Sequence, residues 1–262
     1  MTNTTLRLRV FAGPNGSGKS TIIQAVRAYR INSLPVDFGL YINADDIARS
    51  LREDRFEFDE YEINPTLDEV VEVALASGLV GGAFSQTQFQ ASFAMHGTRL
   101  RLLEETSDER LAQILADYLR KKLLEERKKF SFETVFSHPS KLDVMRQAAE
   151  AGYKVYLYFV STESPEVNKF RVEVRTKQGG HHVPPDKIES RYYRSLELLY
   201  EAAQLTYQTF FFDNSIPKNP GELFEPFAYF KVIGGEKKWE IDNQELVPNW
   251  FLQYYFQKVQ PK

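Results

Sequence analysis

Residues 13–20 read Gly-Pro-Asn-Gly-Ser-Gly-Lys-Ser, which matches the phosphate-loop pattern G-x-x-x-x-G-K-[S/T]. An apolar segment ends at Ala12 and a helix-like segment begins near Lys19, so the loop joins a strand to a helix. Its glycines allow a tight turn whose backbone N–H groups point inward, and the N-terminus of the following helix favours anions. The pattern therefore predicts a nucleoside triphosphate site.

In such a site Lys19 bridges the terminal phosphates and the hydroxyl of Ser20 ligates Mg²⁺. A glycine-rich turn that binds nothing is the alternative, and the flanking strand and helix patterns argue against it. Arg7 and Arg9 alternate with apolar residues, which predicts that the start of the strand is exposed. The predicted nucleotide contacts from the loop are Gly13, Pro14, Asn15, Gly16, Ser17, Gly18, Lys19, Ser20 and Thr21.

Strand-like and helix-like segments alternate along the chain. The predicted strands are residues 6–12, 40–43, 130–136, 153–160 and 209–212, with an amphipathic helix at about 107–129. This order predicts the α/β class, with a doubly wound, mostly parallel five-stranded sheet. We expect a core over residues 1–221, with a helical insertion at about 54–106 and a lid at about 171–194. A hairpin and helix over residues 222–262 form a small C-terminal appendage in this prediction.

Composition limits the partners. A net charge of −3 gives no global field that attracts nucleic acid, and the basic run over residues 120–129 is interleaved with Glu125 and Glu126, which indicates a solvated helix face. The chain has no cysteine, which excludes disulfides and thiolate catalysis and suits a cytoplasmic location. The first residues lack a signal-peptide pattern and no apolar run is long enough to cross a bilayer, so we expect no membrane partner.

Acidic side chains stand where a parallel sheet binds its ligands, at the carboxyl ends of strands. Asp45 and Asp46 follow the second predicted strand, where a catalytic base and a helix cap are equally good interpretations. Glu133 interrupts an apolar strand, and a charge there is costly unless it is paired or faces a site, which favours a functional role.

Arginines surround a glycine turn further along the chain. Arg171, Arg175, Arg191 and Arg194 flank residues 179–182, Gly-Gly-His-His, as in a lid that closes on phosphates. Solvated helix charges are the alternative and account for some of them. A metal site built on the two histidines is disfavoured because no third ligand stands at a useful spacing.

Four segments in this order, 12–21 (AGPNGSGKST), 42–48 (INADDIA), 132–134 (FET) and 178–192 (from QGGH to RY), resemble the zeta-toxin family of P-loop kinases, particularly its stand-alone bacterial branch. The resemblance covers about residues 6–215, apart from the insertion. It implies ATP- and Mg²⁺-dependent phosphorylation of a sugar hydroxyl on a nucleotide sugar, UDP-N-acetylglucosamine. It also implies that a cognate antitoxin is a candidate partner.

The resemblance assigns roles to individual residues. Lys19 and Ser20 would hold phosphates and metal, Asp45 would be the base, and Arg175 matches the first phosphate-clamping arginine of the family. The predicted acceptor contacts are Asp46, Glu133, Thr134 and His181.

This sequence departs from the family pattern at two positions. Val135 replaces a hydroxyl residue, so Thr134 is the nearest one left, and His181 aligns with the second clamping arginine. Arg191 or Arg194 would then supply that charge from the next helix. Two alternatives stay open: a kinase for another acceptor, such as a nucleoside, another nucleotide sugar or a polynucleotide end, and a P-loop ATPase that is not a kinase.

Overall fold

The structure, a computed structural model, describes residues 5–82, 84–180, 182–216, 224–241 and 247–259. The chain divides into two compact units. The first contains Met1–Gly39 and Ser131–Lys262, and the second is Leu40–Phe130. The predicted insertion at 54–106 therefore lies inside the second unit.

The described strands are β1 (Arg7–Ala12), β2 (Arg30–Ile31), β3 (Leu34–Pro35), β4 (Leu40–Ile42), β5 (Phe93–His96), β6 (Arg99–Leu102), β7 (Phe130–Thr134), β8 (Lys154–Ser161), β9 (Gln208–Asp213), β10 (Ala228–Ile233) and β11 (Glu236–Ile241). The described helices are α1 (Lys19–Ala28), α2 (Ala44–Arg52), α3 (Leu67–Ala76), α4 (Gln86–Ala91), α5 (Asp108–Glu125), α6 (Ser140–Glu150), α7 (Pro165–Lys177), α8 (Pro185–Glu197), α9 (Leu199–Gln204), α10 (Asn249–Phe251) and α11 (Gln257–Val259). A π-helical segment, Leu252–Phe256, joins the last two helices, and short 3₁₀ turns occupy Phe58–Tyr61 and Glu105–Ser107.

The first unit is built on a sheet whose strands lie in the order β11, β10, β9, β8, β1, β7. Strand β8 runs parallel to both β1 and β9, which confirms the mostly parallel α/β fold. The predicted strand count of five is wrong, because β10 pairs antiparallel with β9 and β11 continues the sheet. The C-terminal hairpin thus extends the sheet itself.

Aromatic packing explains why the hairpin joins the sheet. The ring of Phe211 on β9 stacks on Trp239 of β11 with centroids 5.9 Å apart, and it contacts Phe251 and Tyr255 of the C-terminal helical segment. Phe211, Phe251 and Tyr255 are each at most 2% exposed. Burial of aromatic rings of this size stabilises the hairpin on the sheet, and a hairpin left alone in solvent would not gain this free energy.

Strand β1 differs from its predicted exposure. Arg9 is buried rather than exposed, because its guanidinium donates to the carbonyl of Asp37 at 2.9 Å and to the hydroxyl of Tyr158 at 3.0 Å. The same guanidinium lies 4.5 Å from the ring centroid of Tyr156. These contacts replace the water that a buried cation loses. Arg7, two residues earlier on the same strand, is partly exposed, as the alternation predicts.

In the second unit α2 and α3 pack on the long helix α5. The basic run at its end is only partly a solvated face. Arg120 is 3% exposed and pairs with Asp117 at 3.1 Å, and burial lowers the pKa of its guanidinium. Lys121 and Lys122 are more exposed and pair with Asp117 and Glu69. The run is therefore neutralised by local carboxylates and offers little to a polyanion.

Among the residues that the structure describes, no helix has the length and apolar character needed to span a bilayer.

Candidate active site

The loop between β1 and α1 requires glycine where other segments approach it. At Gly16, with φ of 77°, an added Cβ would lie 2.6 Å from the carbonyl oxygen of Asn168. At Gly18, with φ of 99°, it would lie 2.1 Å from the side-chain nitrogen of Asn214. Both positions combine a left-handed backbone with no room for a side chain, so the motif glycines are enforced by their surroundings.

The mouth of this loop has the features of an anion site. Helix α1 begins directly at Lys19, carries no acidic residue in its first turn, and has no side-chain cap at its N-terminus. The side-chain oxygen of Ser17 is buried without a hydrogen-bond partner within the described part of the chain. Ser20 and Thr21 are exposed at the start of the helix. A phosphate placed here would meet the positive end of a helix dipole.

Lys19 is 7% exposed and its ammonium group lies over the loop. It donates to the carbonyl oxygens of Gly13 at 2.9 Å and Pro14 at 3.1 Å. Its ammonium is also 3.8 Å from the carboxylate of Glu133 on β7. Lys19 therefore connects the loop to β7, the strand that carries Glu133, which is predicted to bind the acceptor substrate.

Glu133 and Thr134 form the end of β7. The Glu133 side chain is 17% exposed, which places a carboxylate at the edge of the site with access to solvent. The hydroxyl of Thr134 accepts from the backbone N–H of Phe136 at 3.1 Å, a residue with φ of 59°. Thr134 thus stabilises the turn after the strand, and its hydroxyl hydrogen remains able to donate.

The arginines of the predicted lid differ in where they lie. Arg191 on α8 donates to the side-chain oxygen of Asn15 in the loop at 3.3 Å, whereas Arg194 folds back on Ser190 of its own helix. The hydroxyl of Tyr192 donates to the carbonyl of Thr162 at 2.6 Å and fixes the helix beside the end of β8. Of the two arginines on α8, Arg191 is the one held at the loop.

The other arginines of the predicted lid, Arg171 and Arg175, make no hydrogen bond to the phosphate loop among the described residues. Arg175 is exposed on the last turn of α7, and its stem packs against Gly180, where an added Cβ would lie 2.7 Å from its Cγ. Arg171 faces Asp213, and burial lowers the pKa of its guanidinium while that carboxylate opposes the shift. His181 lies outside the described residues, so its predicted role stays a prediction.

The second unit holds the predicted base, Asp45, and the predicted acceptor contact Asp46. Asn43, which precedes α2, accepts from the backbone N–H of Asp45 at 2.9 Å and is the N-cap of the helix. Asp45 is exposed in the first turn, and Asp46 pairs with Arg49. Because Asn43 already serves as the cap, the carboxylate of Asp45 is not needed for that purpose.

The residues of the loop fit a magnesium ion bound together with phosphates. Ser20 presents an exposed hydroxyl beside Lys19, which is the donor a phosphate-bound Mg²⁺ uses in such loops. Within the described ranges no group of three or more His, Asp or Glu side chains could hold a metal on its own.

Sequence reasoning missed two residues that shape the loop. The side-chain nitrogen of Asn214, directly after β9, donates to the carbonyl of Ser17 at 2.8 Å. Asn168 on α7 is fully buried, accepts from Thr162, and packs its backbone on Gly16. A lone asparagine carries no spacing signal, so neither contact could be found from the sequence.

Residues 104–215 match the family model described as zeta toxin. A curated relative, an uncharacterised protein of Haemophilus influenzae, is 33% identical over 63 residues, which cover 24% of this chain and 45% of that protein. The match thus spans less than half of the relative's length. The matched family segment contains β7, helices α7 and α8 and β9, so it includes Glu133, Arg175 and Arg191.

Two solved structures are similar to this one. The native AvrRxo1-ORF1:AvrRxo1-ORF2 complex superimposes with a TM-score of 0.52 and 17% identity, covering 92% of this chain and 62% of that chain. The same complex with sulphate ions gives a TM-score of 0.51 and 16% identity, covering 93% and 63%. At these identities the likeness shows the fold alone. This chain spans less than two thirds of those solved chains.

Proposed function

Because residues 104–215 match the zeta-toxin family of P-loop kinases, we propose that this chain is an ATP- and Mg²⁺-dependent kinase that phosphorylates a sugar hydroxyl of a nucleotide sugar. UDP-N-acetylglucosamine is the proposed acceptor and the cytoplasm the proposed location. The single observation that carries the proposal is the contact of Lys19 with both the phosphate loop and Glu133. It joins a predicted triphosphate site to a predicted acceptor residue.

The loop and the lid would bind and orient ATP. Backbone N–H groups of the loop and the N-terminus of α1 would hold the phosphates, with Lys19 on the terminal ones. Arg191, already at Asn15, is proposed as the clamp that neutralises charge on the transferred group, together with Arg175. Ser20 would hold Mg²⁺, which supplies charge neutralisation on the phosphate oxygens.

The acceptor hydroxyl attacks the γ-phosphorus, and the bond from that phosphorus to the β,γ-bridging oxygen breaks. We propose that Asp45 takes the hydroxyl proton, ADP leaves with the bridging oxygen, and the phosphate monoester remains on the sugar. Glu133, Thr134 and Asp46 are proposed to bind the acceptor, with His181 as a further candidate. An exposed carboxylate such as Asp45 can release the proton to water after transfer.

Products identified by mass test the acceptor directly. Purified protein is incubated with ATP and Mg²⁺ against a panel of nucleotide sugars, nucleosides and 5′-hydroxyl oligonucleotides. We expect one new species, heavier by one phosphate, from UDP-N-acetylglucosamine. Phosphorylation of another class alone would replace the acceptor assignment. ADP release that does not depend on any acceptor would indicate an ATPase instead.

Asp45→Asn tests the base. General-base removal typically lowers transfer by about 10² to 10⁴-fold. We expect such a loss in Asp45→Asn with ATP affinity unchanged. Asp68→Asn is the matched control, because Asp68 also lies in the first turn of a helix in the same unit. Transfer by Asp45→Asn at the wild-type rate would remove Asp45 from the mechanism.

A toxin role is proposed from the family, and the solved relatives named above are two-chain complexes by their titles. A cognate antitoxin is therefore a candidate partner. Expression of the wild-type chain in a bacterial host should arrest growth, and Lys19→Ala should not. Growth arrest by both would disconnect toxicity from phosphoryl transfer.

A further inference from the structure

The C-terminal segment, residues 247–259, is linked to the phosphate loop through two side chains at the end of β9, those of Asp213 and Asn214. The indole N–H of Trp250 on α10 donates to the carboxylate of Asp213 at 2.9 Å. The next residue, Asn214, donates from its side chain to the carbonyl of Ser17 at 2.8 Å. Trp250 and Asn214 are 2% and 8% exposed, so both donor residues are buried in the first unit.

Both the backbone and the side chain of Asn214 are held by neighbouring segments. Its backbone N–H donates to the carbonyl of Ser161, the last residue of β8, at 2.8 Å. Its side chain fills the space that a Cβ on Gly18 would need. The peptide between Ser17 and Gly18 therefore cannot rotate without displacing Asn214, and the orientation of that peptide decides whether the next N–H points at a phosphate.

Asp213 holds the loop that follows β9. Its carboxylate accepts from the hydroxyl of Ser215 at 2.8 Å and from the backbone N–H of the same residue at 3.2 Å. The hydroxyl of Ser215 in turn accepts from the backbone N–H of Glu163, after β8, at 2.8 Å. Asn249, beside Trp250, donates to the carboxylate of Glu163 at 2.8 Å.

The C-terminal segment thus contacts both loops that border the phosphate loop. The hydrogen bond from Trp250 to Asp213 is directional, because an indole has a single N–H. The carboxylate of Asp213 also accepts two bonds from Ser215. Aromatic packing of Trp250 on Phe159 and Phe227 sets where that N–H can point. A site held by rigid supporting contacts binds its ligand with less ordering cost.

We propose that Asn214 and Trp250 are positioning residues for ATP: Asn214 orients the Ser17–Gly18 peptide of the phosphate loop, and Trp250 holds Asp213 so that Asn214 keeps this orientation. The role rests on the proposed function, since it concerns the nucleotide of that reaction. It gives the C-terminal segment a task in nucleotide binding that goes beyond completing the sheet.

ATP affinity measured by calorimetry, with no turnover required, tests the inference. One buried hydrogen bond is worth about 1 kcal/mol, so we expect Asn214→Ala to raise the Kd for ATP about fivefold. Trp250→Phe keeps the ring and removes the N–H, and we expect about a threefold rise. Trp239→Phe is the matched control, because Trp239 belongs to the same aromatic cluster and lies on β11. Its Kd should stay within about twofold of the wild type.

The double variant separates positioning from general stability. If Trp250 acts through Asn214, then Asn214→Ala combined with Trp250→Phe should bind ATP no more weakly than Asn214→Ala alone. Additive losses would overturn the role of Trp250. Lower melting temperatures with unchanged ATP affinity in both single variants would overturn the whole inference and leave a structural role.

The failure of the proposed function gives a different result. A wild-type chain that binds no ATP would remove the function and this inference together. A wild-type chain that binds ATP, while Asn214→Ala binds it equally well, would remove only the inference. If Trp250→Phe does not fold, Asn214→Ala decides the first half of the proposal by itself.

Discussion

The ammonium of Lys19 lies 3.8 Å from the carboxylate of Glu133, and the two side chains are 8% and 17% exposed. One residue begins helix α1 and the other lies near the end of strand β7, about a hundred residues away along the chain. At this distance and burial the two charges attract each other more strongly than an exposed pair would. A cation of the predicted nucleotide site and an anion of the predicted acceptor site are therefore energetically coupled.

Glu133→Gln should separate acceptor binding from nucleotide binding. The amide keeps the shape of the side chain but loses the charge that would hold a sugar hydroxyl. We expect kcat/KM for the acceptor to fall about 100-fold, as for loss of a charged hydrogen bond. ATP affinity should stay the same or improve, because Lys19 loses a competing anion. Steady-state kinetics with each substrate varied in turn measures both, and a weaker affinity for ATP would contradict this division of roles.

Lys19→Met should remove nucleotide affinity without opening the core. Methionine retains most of the buried stem and lacks the ammonium group. We expect the Kd for ATP to rise at least about tenfold, the scale of one lost charge-assisted contact. Lys187→Met, on the exposed surface of α8, is the control for loss of one positive charge. Equal losses in the two variants would mean that the effect comes from net charge.

The order of strands and helices and the position of the loop could be predicted because they depend on local patterns. Apolar runs such as residues 153–160 and the glycine motif are legible in the chain itself. The loop lies between β1 and α1, and β8 pairs parallel with β1 and β9, which confirms that part. The sequence predicts the hairpin only as an appendage, because turn signals do not tell which sheet edge a hairpin will pair with.

What the sequence could not supply are contacts between distant polar residues. Arg9 is buried because Asp37 and Tyr158 provide acceptors, and neither partner could be assigned to it from spacing. The same holds for Asn214 and Ser17, which are separated by most of the chain. Where a polar side chain finds its partner depends on the folded arrangement of the strands, whereas periodicity reports only which face it occupies.

Arg191 and Arg194 lie one turn apart on α8 and make a matched pair for testing the phosphate clamp. Arg191 reaches Asn15 of the loop, and Arg194 binds Ser190. We expect Arg191→Ala to lower kcat for phosphoryl transfer at least about tenfold, since a lost charged contact in the transition state costs more than 1.4 kcal/mol. Arg194→Ala should change it by about twofold or less. The reverse result would assign the clamp to Arg194.

Lys237 is a half-buried residue of β11 whose ammonium lies 4.5 Å from the ring centroid of Phe230. Burial lowers the pKa of Lys237 from its usual 10.5 to about 8. Between pH 8 and 10.5 the unfolded chain then binds more protons than the folded chain, so this residue makes stability rise with pH across that window. At pH 7 its charge opposes folding. After allowance for solvent screening of a half-exposed group, we take the effect as about 1 kcal/mol, which corresponds to about 2–4 °C in Tm.

Lys237→Met should therefore melt higher than the wild type at pH 7, and the difference should shrink as the pH approaches 10.5, where the unfolded lysine is also losing its proton. Differential scanning calorimetry of both proteins at pH 7 and pH 10 measures this, with Lys238→Met, the exposed neighbour paired with Glu236, as the control that should change little. A Tm for Lys237→Met below that of the wild type at pH 7 would show that its hydrogen bond to Gln204 outweighs the desolvation of its charge.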